Sequence, residues 1–79
     1  MKVEVNLYAS LAQYVPPTSD GKSFVMELSE GTRIRDALAH LKVPGEAVKI
    51  IFLNGIHATA DTVLRNGDRL GVFPPVAGG

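Results

Sequence analysis

His40 and His57 are the two histidines a proton-transfer site could use, and they fall in unrelated segments of the chain. Asp20, Glu46, Asp61 and Asp68 are scattered singly through stretches that read as loops or turns, where capping and turn formation account for carboxylates. Acid–base or metal chemistry needs such groups gathered at matching spacings, and no such constellation is visible. There is no cysteine, so disulfides, thiolate nucleophiles and cysteine-ligated zinc or iron–sulfur centres are excluded. Gly31, Gly45, Gly55 and Gly67 stand alone, each at a turn, and make no phosphate-cradling loop. No cofactor is expected to be bound, and any ATP must be bound and consumed by a partner. What remains is the carboxylate of Gly79, ionised at neutral pH and a poor electrophile. To accept any nucleophile it must first become a mixed anhydride, for which transfer to AMP is the usual biological route.

The residues before that carboxylate suit it to delivery. Pro74 and Pro75 fix φ and favour an extended segment that leaves the domain in a set direction. Val76 and Ala77 are small, and Gly78 and Gly79 carry no Cβ, so they pass through a channel too narrow for other residues. Fully extended, Pro74 to Gly79 reach about 20 Å, enough to enter a partner's active site while the domain stays outside. A frayed terminus is the competing reading. The order stiff, small, slender favours insertion.

A chain of 79 residues holds one domain, expected over residues 1–73, with 74–79 as a flexible diglycine tail. Hydrophobic residues make up 46%, enough for a folded core. Eight basic and eight acidic residues cancel, leaving no field to attract nucleic acid or an anionic membrane. The first residues enter a strand pattern directly, without a signal-like or membrane-spanning run, so a cytosolic (cytoplasmic) location is expected.

The elements that must carry the tail follow from periodicity. Val3, Val5 and Leu7 alternate with polar neighbours in a first strand. Ala9 to Val15 changes period to a short helix, with Ser10 as its cap, Leu11 and either Tyr14 or Val15 inward, and Pro16-Pro17 as its stop. Thr18 to Gly21 reads as a turn, after which Phe24, Met26 and Leu28 mark a second strand paired with the first. Thr32 is the expected N-cap of the main helix, whose buried face is Ile34, Ala37, Leu38 and Leu41 and whose stop is Pro44-Gly45. Arg33 and Arg35, in its first turn, oppose the helix dipole and read as solvated side chains. Lys49 to Leu53, Asn54-Gly55 and Ile56 to Ala58 form a hairpin. Thr59 to Leu64 has room for one helical turn, with Val63 and Leu64 plugging the core. Arg65 to Asp68 turns the chain into a last strand with Leu70 and Val72 inward and Arg69, Gly71 and Phe73 outward. The order ββαβββ predicts an α+β, ubiquitin-like β-grasp: a mixed sheet of about five strands on one main helix.

Gly67-Asp68 followed by Phe73-Pro74-Pro75-Val76-Ala77-Gly78-Gly79 resembles the ending of the small subunit of molybdopterin synthase, within the ubiquitin-like sulfur carriers. The resemblance covers the whole chain, more faintly at Val3 to Leu11 and Asn54-Gly55. It implies that an E1-like enzyme adenylates Gly79, that a sulfur donor converts it to a thiocarboxylate, and that the synthase large subunit, receiving the inserted tail, passes the sulfur to a pterin. The length, the Tyr8 to Val15 insertion and Phe73-Pro74-Pro75 fit this branch better than the shorter thiamine carrier. A carrier for thiamine thiazole or cysteine, and a ubiquitin-like modifier joined to protein lysines, remain as alternatives.

Strand parity adds a docking surface. Tyr8, His57 and Phe73 face away from the helix, and if the first, fourth and last strands are neighbours they form one exposed patch beside the root of the tail. The resemblance implies that the matching positions contact the activating enzyme and the large subunit. A large apolar residue is usual in that family where this chain has His57.

Overall fold

The computed structural model describes residues 1–17 and 23–75. Five strands, β1 (Lys2–Leu7), β2 (Ser23–Glu27), β3 (Ile50–Leu53), β4 (Ile56–Ala58) and β5 (Arg69–Phe73), form one sheet crossed by the helix α1 (Ile34–His40). The sheet order is β2-β1-β5-β3-β4; β1 and β5 run parallel and the other pairs antiparallel. This is the expected mixed sheet on one main helix, the β-grasp arrangement. No helix among the described residues is long and apolar enough to cross a membrane.

Alternation built the core as expected. Val3, Val5 and Leu7 from β1 and Leu70 and Val72 from β5 are buried against Ile34, Ala37 and Leu38 of α1. Phe24, Met26 and Leu41 cover its margins. The pairing of β1 with β2 holds from Lys2 opposite Glu27 to Asn6 opposite Ser23. The turn expected at Thr18 to Gly21 lies outside the described residues.

Several local expectations are corrected. The segment after β1 is a 3-10 helix, Ala9–Tyr14, entered from an extended Tyr8; Ser10 lies inside it and is not its cap. Leu11 is buried and both Tyr14 and Val15, not one of them, pack on the core. Thr32 does not cap α1, because its hydroxyl donates to the Ser29 carbonyl and closes the preceding turn. Arg33 occupies the N-cap, with its N–H donating to the Asp36 carboxylate. The orphan N–H groups of Ile34 and Arg35 donate to the carbonyls of Thr62 and Ala60. The helix also ends before Pro44-Gly45: Lys42 turns left-handed at φ 62, and the N–H groups of Lys42 and Val43 donate back to Ala39 and Leu38 as a Schellman motif.

Arg33 and Arg35 have a structural use as well. The Arg33 guanidinium donates to the Asp61 carbonyl and Arg35 pairs with the Asp61 carboxylate, each at 2.6 Å, tying the start of α1 to the connection before β5. That connection is a turn closed from Thr62 N–H to Thr59 carbonyl, not a helical turn. Leu64 plugs the core but Val63 points out, its backbone bridged to Arg33. Ile56 is 72% exposed although it shares the inward parity of Leu53, its partner on β3. It lies at the tip of an edge hairpin.

Candidate partner-docking face and tail root

On the sheet face away from α1, the pairing of β1 with β5 sets Leu7 opposite Val72 and so delivers Tyr8 beside Phe73. Tyr8 N–H donates to the Val72 carbonyl at 3.1 Å, which fixes its backbone just past the end of β1. The two rings stack with centroids 4.3 Å apart and planes 4° from parallel. The rings lie over Gly71, where an added Cβ would make ordinary van der Waals contact with Tyr8 at 3.5 Å and Phe73 at 3.9 Å. Both aromatic side chains are half-buried.

The expectation that the first, fourth and last strands are neighbours is wrong in one respect. β3 lies between β5 and β4, so His57 is two strands away from Phe73. Phe52 fills the gap: its backbone pairs with Gly71 on one side and His57 on the other. Its ring meets those of Phe73 and His57 edge-on, each with centroids 5.9 Å apart. Tyr8, Phe73, Phe52 and His57 therefore make one aromatic row across the sheet, with His57 at its exposed end. Phe52 is not singled out by the sequence because Ile50 to Leu53 is apolar on both faces, which hides alternation. The outward parity of Phe52 between Ile51 and Leu53 was the available signal.

The tail leaves this row directly. Lys49 N–H donates to the Phe73 carbonyl at 2.8 Å, holding the last residue of β5 in place. Pro74 and Pro75 then supply no N–H with which to continue the sheet. They border a hollow of about 550 Å³ that also touches Ile50, Phe52 and Phe73. Val76, Ala77, Gly78 and Gly79 lie outside the described residues.

At the opposite end of β5, Asn54 joins the hairpin to the sheet. It sits left-handed at φ 54; its side-chain oxygen accepts from Arg69 N–H at 3.0 Å and its amide donates to Asp68 at 2.9 Å. Asp68 in turn accepts from Arg65 N–H at 2.8 Å. These bonds fix the register in which β5 presents Gly71 and Phe73. Among the described residues no group of three or more acidic or histidine side chains is placed to hold a metal ion. What the described residues offer here is the aromatic row beside Pro74 and Pro75.

The ThiS family model matches residues 5–79. A solved structure assigned as molybdopterin converting factor subunit 1 from Pyrococcus furiosus is 31% identical, with a TM-score of 0.70, covering 95% of this chain and 98% of that one. Subunit 1 in a complex of subunits 1 and 2 of the molybdopterin-converting factor from Helicobacter pylori is 25% identical, with a TM-score of 0.61 and full coverage of both chains. SAMP1 from Haloferax volcanii has the same fold, at 24% identity, a TM-score of 0.73 and full coverage of both. No curated protein matches the chain at a significant level by sequence. With the matched model running over nearly the whole length, and the β-grasp sheet and helix in place, the chain belongs to the ThiS family of ubiquitin-like proteins.

Proposed function

We propose that this chain is the sulfur-carrying small subunit of a molybdopterin synthase, and that Gly79 is the residue that carries the sulfur. The observation on which this rests is the placement of the tail root. Phe73 ends the last strand inside an aromatic row on the sheet face away from α1, so a partner that covers the row receives the tail at the same time. The Pyrococcus furiosus and Helicobacter pylori relatives support the choice of pathway.

In this reading an E1-like adenylating enzyme docks on Tyr8, Phe73 and Phe52, with His57 at the rim, and draws Pro74 to Gly79 into its ATP site. The Gly79 carboxylate attacks the α-phosphorus of ATP, pyrophosphate leaves, and an acyl-adenylate forms. Sulfide from a sulfur donor then displaces AMP and leaves a thiocarboxylate. The charged chain moves to the synthase large subunit, where its sulfur passes to the pterin and Gly79 returns to a carboxylate with oxygen from water. A dithiolene contains two sulfurs, so two charged chains are consumed for each pterin. The carrier contributes geometry and a leaving sulfur, and the catalytic side chains belong to its partners.

The test is to charge the purified chain and mix it with the large subunit and the pterin precursor of the native host. Formation of the dithiolene product with stoichiometric loss of sulfur from Gly79 is expected. Transfer only to a thiazole or cysteine precursor would assign the other carrier pathway. Accumulation of isopeptide-linked, high-mass conjugates in cell extract would assign the modifier reading.

A further inference from the structure

The strand β2 has a neighbour in the sheet on one side only. Which of its backbone groups that neighbour uses follows from Met1 and Leu28: the Met1 ammonium donates to the Leu28 carbonyl and the Leu28 N–H to the Met1 carbonyl, each at 2.8 Å. Opposed residues of an antiparallel pair alternate between exchanging both bonds and exchanging none. Met26 and Phe24 therefore face β1 as Leu28 does, while Ser23, Val25 and Glu27 turn their N–H and C=O groups outward. The far side of β1 agrees, since Glu4 N–H donates to the Asp68 carbonyl and the Lys2 carbonyl accepts from Gly67 N–H. Among the described residues no backbone group bonds to the outward N–H or C=O of Val25 or Glu27. Open edges are commonly blunted by proline, lysine, a bulge or shortness. β2 contains no proline or lysine, runs five residues in unbroken register with β1, and carries its one charge, Glu27, at its end. Val25, at its middle, is 62% exposed. The opposite edge, β4, is only three residues long.

We infer that the free edge of β2 pairs with β2 of a second copy of this chain, antiparallel and two-fold symmetric about Val25, so that two sheets join into one. In that register the outward groups of Val25 bond those of Val25 of the second copy, and the outward groups of Ser23 bond those of Glu27. The side chains agree on both faces. On the outer face valine covers valine, and Glu27 comes opposite Ser23, not opposite its own counterpart. The two Glu4 carboxylates stay apart because both valines lie between them, and each is held on its own sheet by Asn6 and Arg69. On the inner face Phe24 comes opposite Met26, both half-buried at the margin of the core, a ring against a thioether. The edge is thus complementary to itself, as a two-fold contact requires, and this self-match selects a second copy over a strand of other sequence. The seam lies on the far side of β1 from β5, so Phe73, Phe52 and His57 stay open. Both aromatic rows then lie on one face of the joined sheet, and the two Pro74-Pro75 segments leave it at opposite ends. Five residues a side cover far less than the about 800 Å² per partner of a standard interface, so the dimer is weak and its population follows concentration.

The test uses the full chain at about 0.05 mM and about 2 mM, with sedimentation equilibrium for mass and hydrogen exchange read residue by residue. At the higher concentration the average mass should rise toward that of two chains. The amides of Val25 and Glu27 should then exchange about threefold or more slowly, while those of Phe24 and Met26, already bonded to β1, change less. Val25→Lys sets two lysines face to face and should weaken association about tenfold or more, whereas Val25→Thr keeps it. If Val25→Lys fails to fold, the exchange pattern of the wild type decides alone. A wild type that stays monomeric at about 2 mM overturns the inference. So does a dimer whose protection falls on β4, or equally on Phe24 and Val25, or one that a folded Val25→Lys leaves intact.

Discussion

The rings of Tyr8 and Phe73 lie parallel, 4.3 Å between centroids, although 64 residues of chain separate them. The parallel pairing of β1 with β5 creates this contact, and the rings lie over Gly71. One ring belongs to the entrance of the 3-10 helix and the other to the last strand before the tail. The stack therefore couples the tail root to the body of the domain.

Replacing either ring should weaken partner binding first and stability second. Tyr8→Asp or Phe73→Asp is expected to lower affinity for the synthase large subunit at least tenfold, about 1.4 kcal/mol. Because the rings stack, about 0.5–1.5 kcal/mol of folding stability goes with them. For a domain of this size that lowers Tm by several degrees, at about 4–8 °C per kcal/mol. Phe52→Ala should match them in binding, as it joins two members of the row, and His57→Ala should do less. Titration calorimetry beside thermal melts checks this; unchanged affinity in both aspartate variants would remove the row from the interface.

Asn54 offers a test of how the hairpin is held. Asn54→Ala loses the bonds to Arg69 N–H and Asp68 and places a Cβ-bearing residue without a local hydrogen-bonding side chain at φ 54, so a loss of about 1–3 kcal/mol is expected. Asn54→Gly relieves the backbone part alone and should recover some of it. Urea unfolding of both, with hydrogen exchange at Arg69, separates the two contributions; equal losses would show that backbone strain plays no part.

A gain in stability is available at the end of α1. Lys42 holds the left-handed position of the Schellman motif at φ 62, where a Cβ costs about 1 kcal/mol. Lys42→Gly should therefore raise Tm slightly, by about 1–4 °C, because the relief is largely offset by the added freedom of the unfolded chain. A fall in Tm would mean that the Lys42 side chain contributes more than its backbone conformation costs.

Leu7→Ala tests how close the fold sits to its stability limit. Leu7 is fully buried, and truncation at such positions costs about 2–5 kcal/mol. A chain of this length is expected to have about 4–12 kcal/mol in total, so the variant should be partly unfolded or melt far lower. A shift in the urea midpoint equivalent to less than about 1 kcal/mol would contradict the assignment of Leu7 to the centre of the core.

Much of this was legible because alternation is local. Val3, Val5, Leu7, Leu70 and Val72 declare their face two residues at a time, and Asn54-Gly55 declares its turn by the left-handed φ that both residues adopt. Strand order is not local. Nothing within Ile56 to Ala58 tells that β3 lies between β4 and β5, so parity alone sets His57 beside Phe73 and leaves out Phe52. The caps failed for a related reason: the first N–H groups of α1 are satisfied by carbonyls from Ala60 and Thr62, distant in sequence, which released Thr32 for its own turn. The tail is legible from residue type alone, by the stiffness of Pro74-Pro75 and the slenderness of Gly78-Gly79.

The most direct test of the central claim is the intact mass of the purified chain after incubation with the adenylating enzyme of its native host, ATP and a sulfur donor. The carrier account predicts one sulfur in place of one oxygen, localised to Gly79, and no change when Gly79 is deleted or when residues are added after it. An unchanged mass for the intact chain, or sulfur still gained by the truncated or extended one, would contradict it.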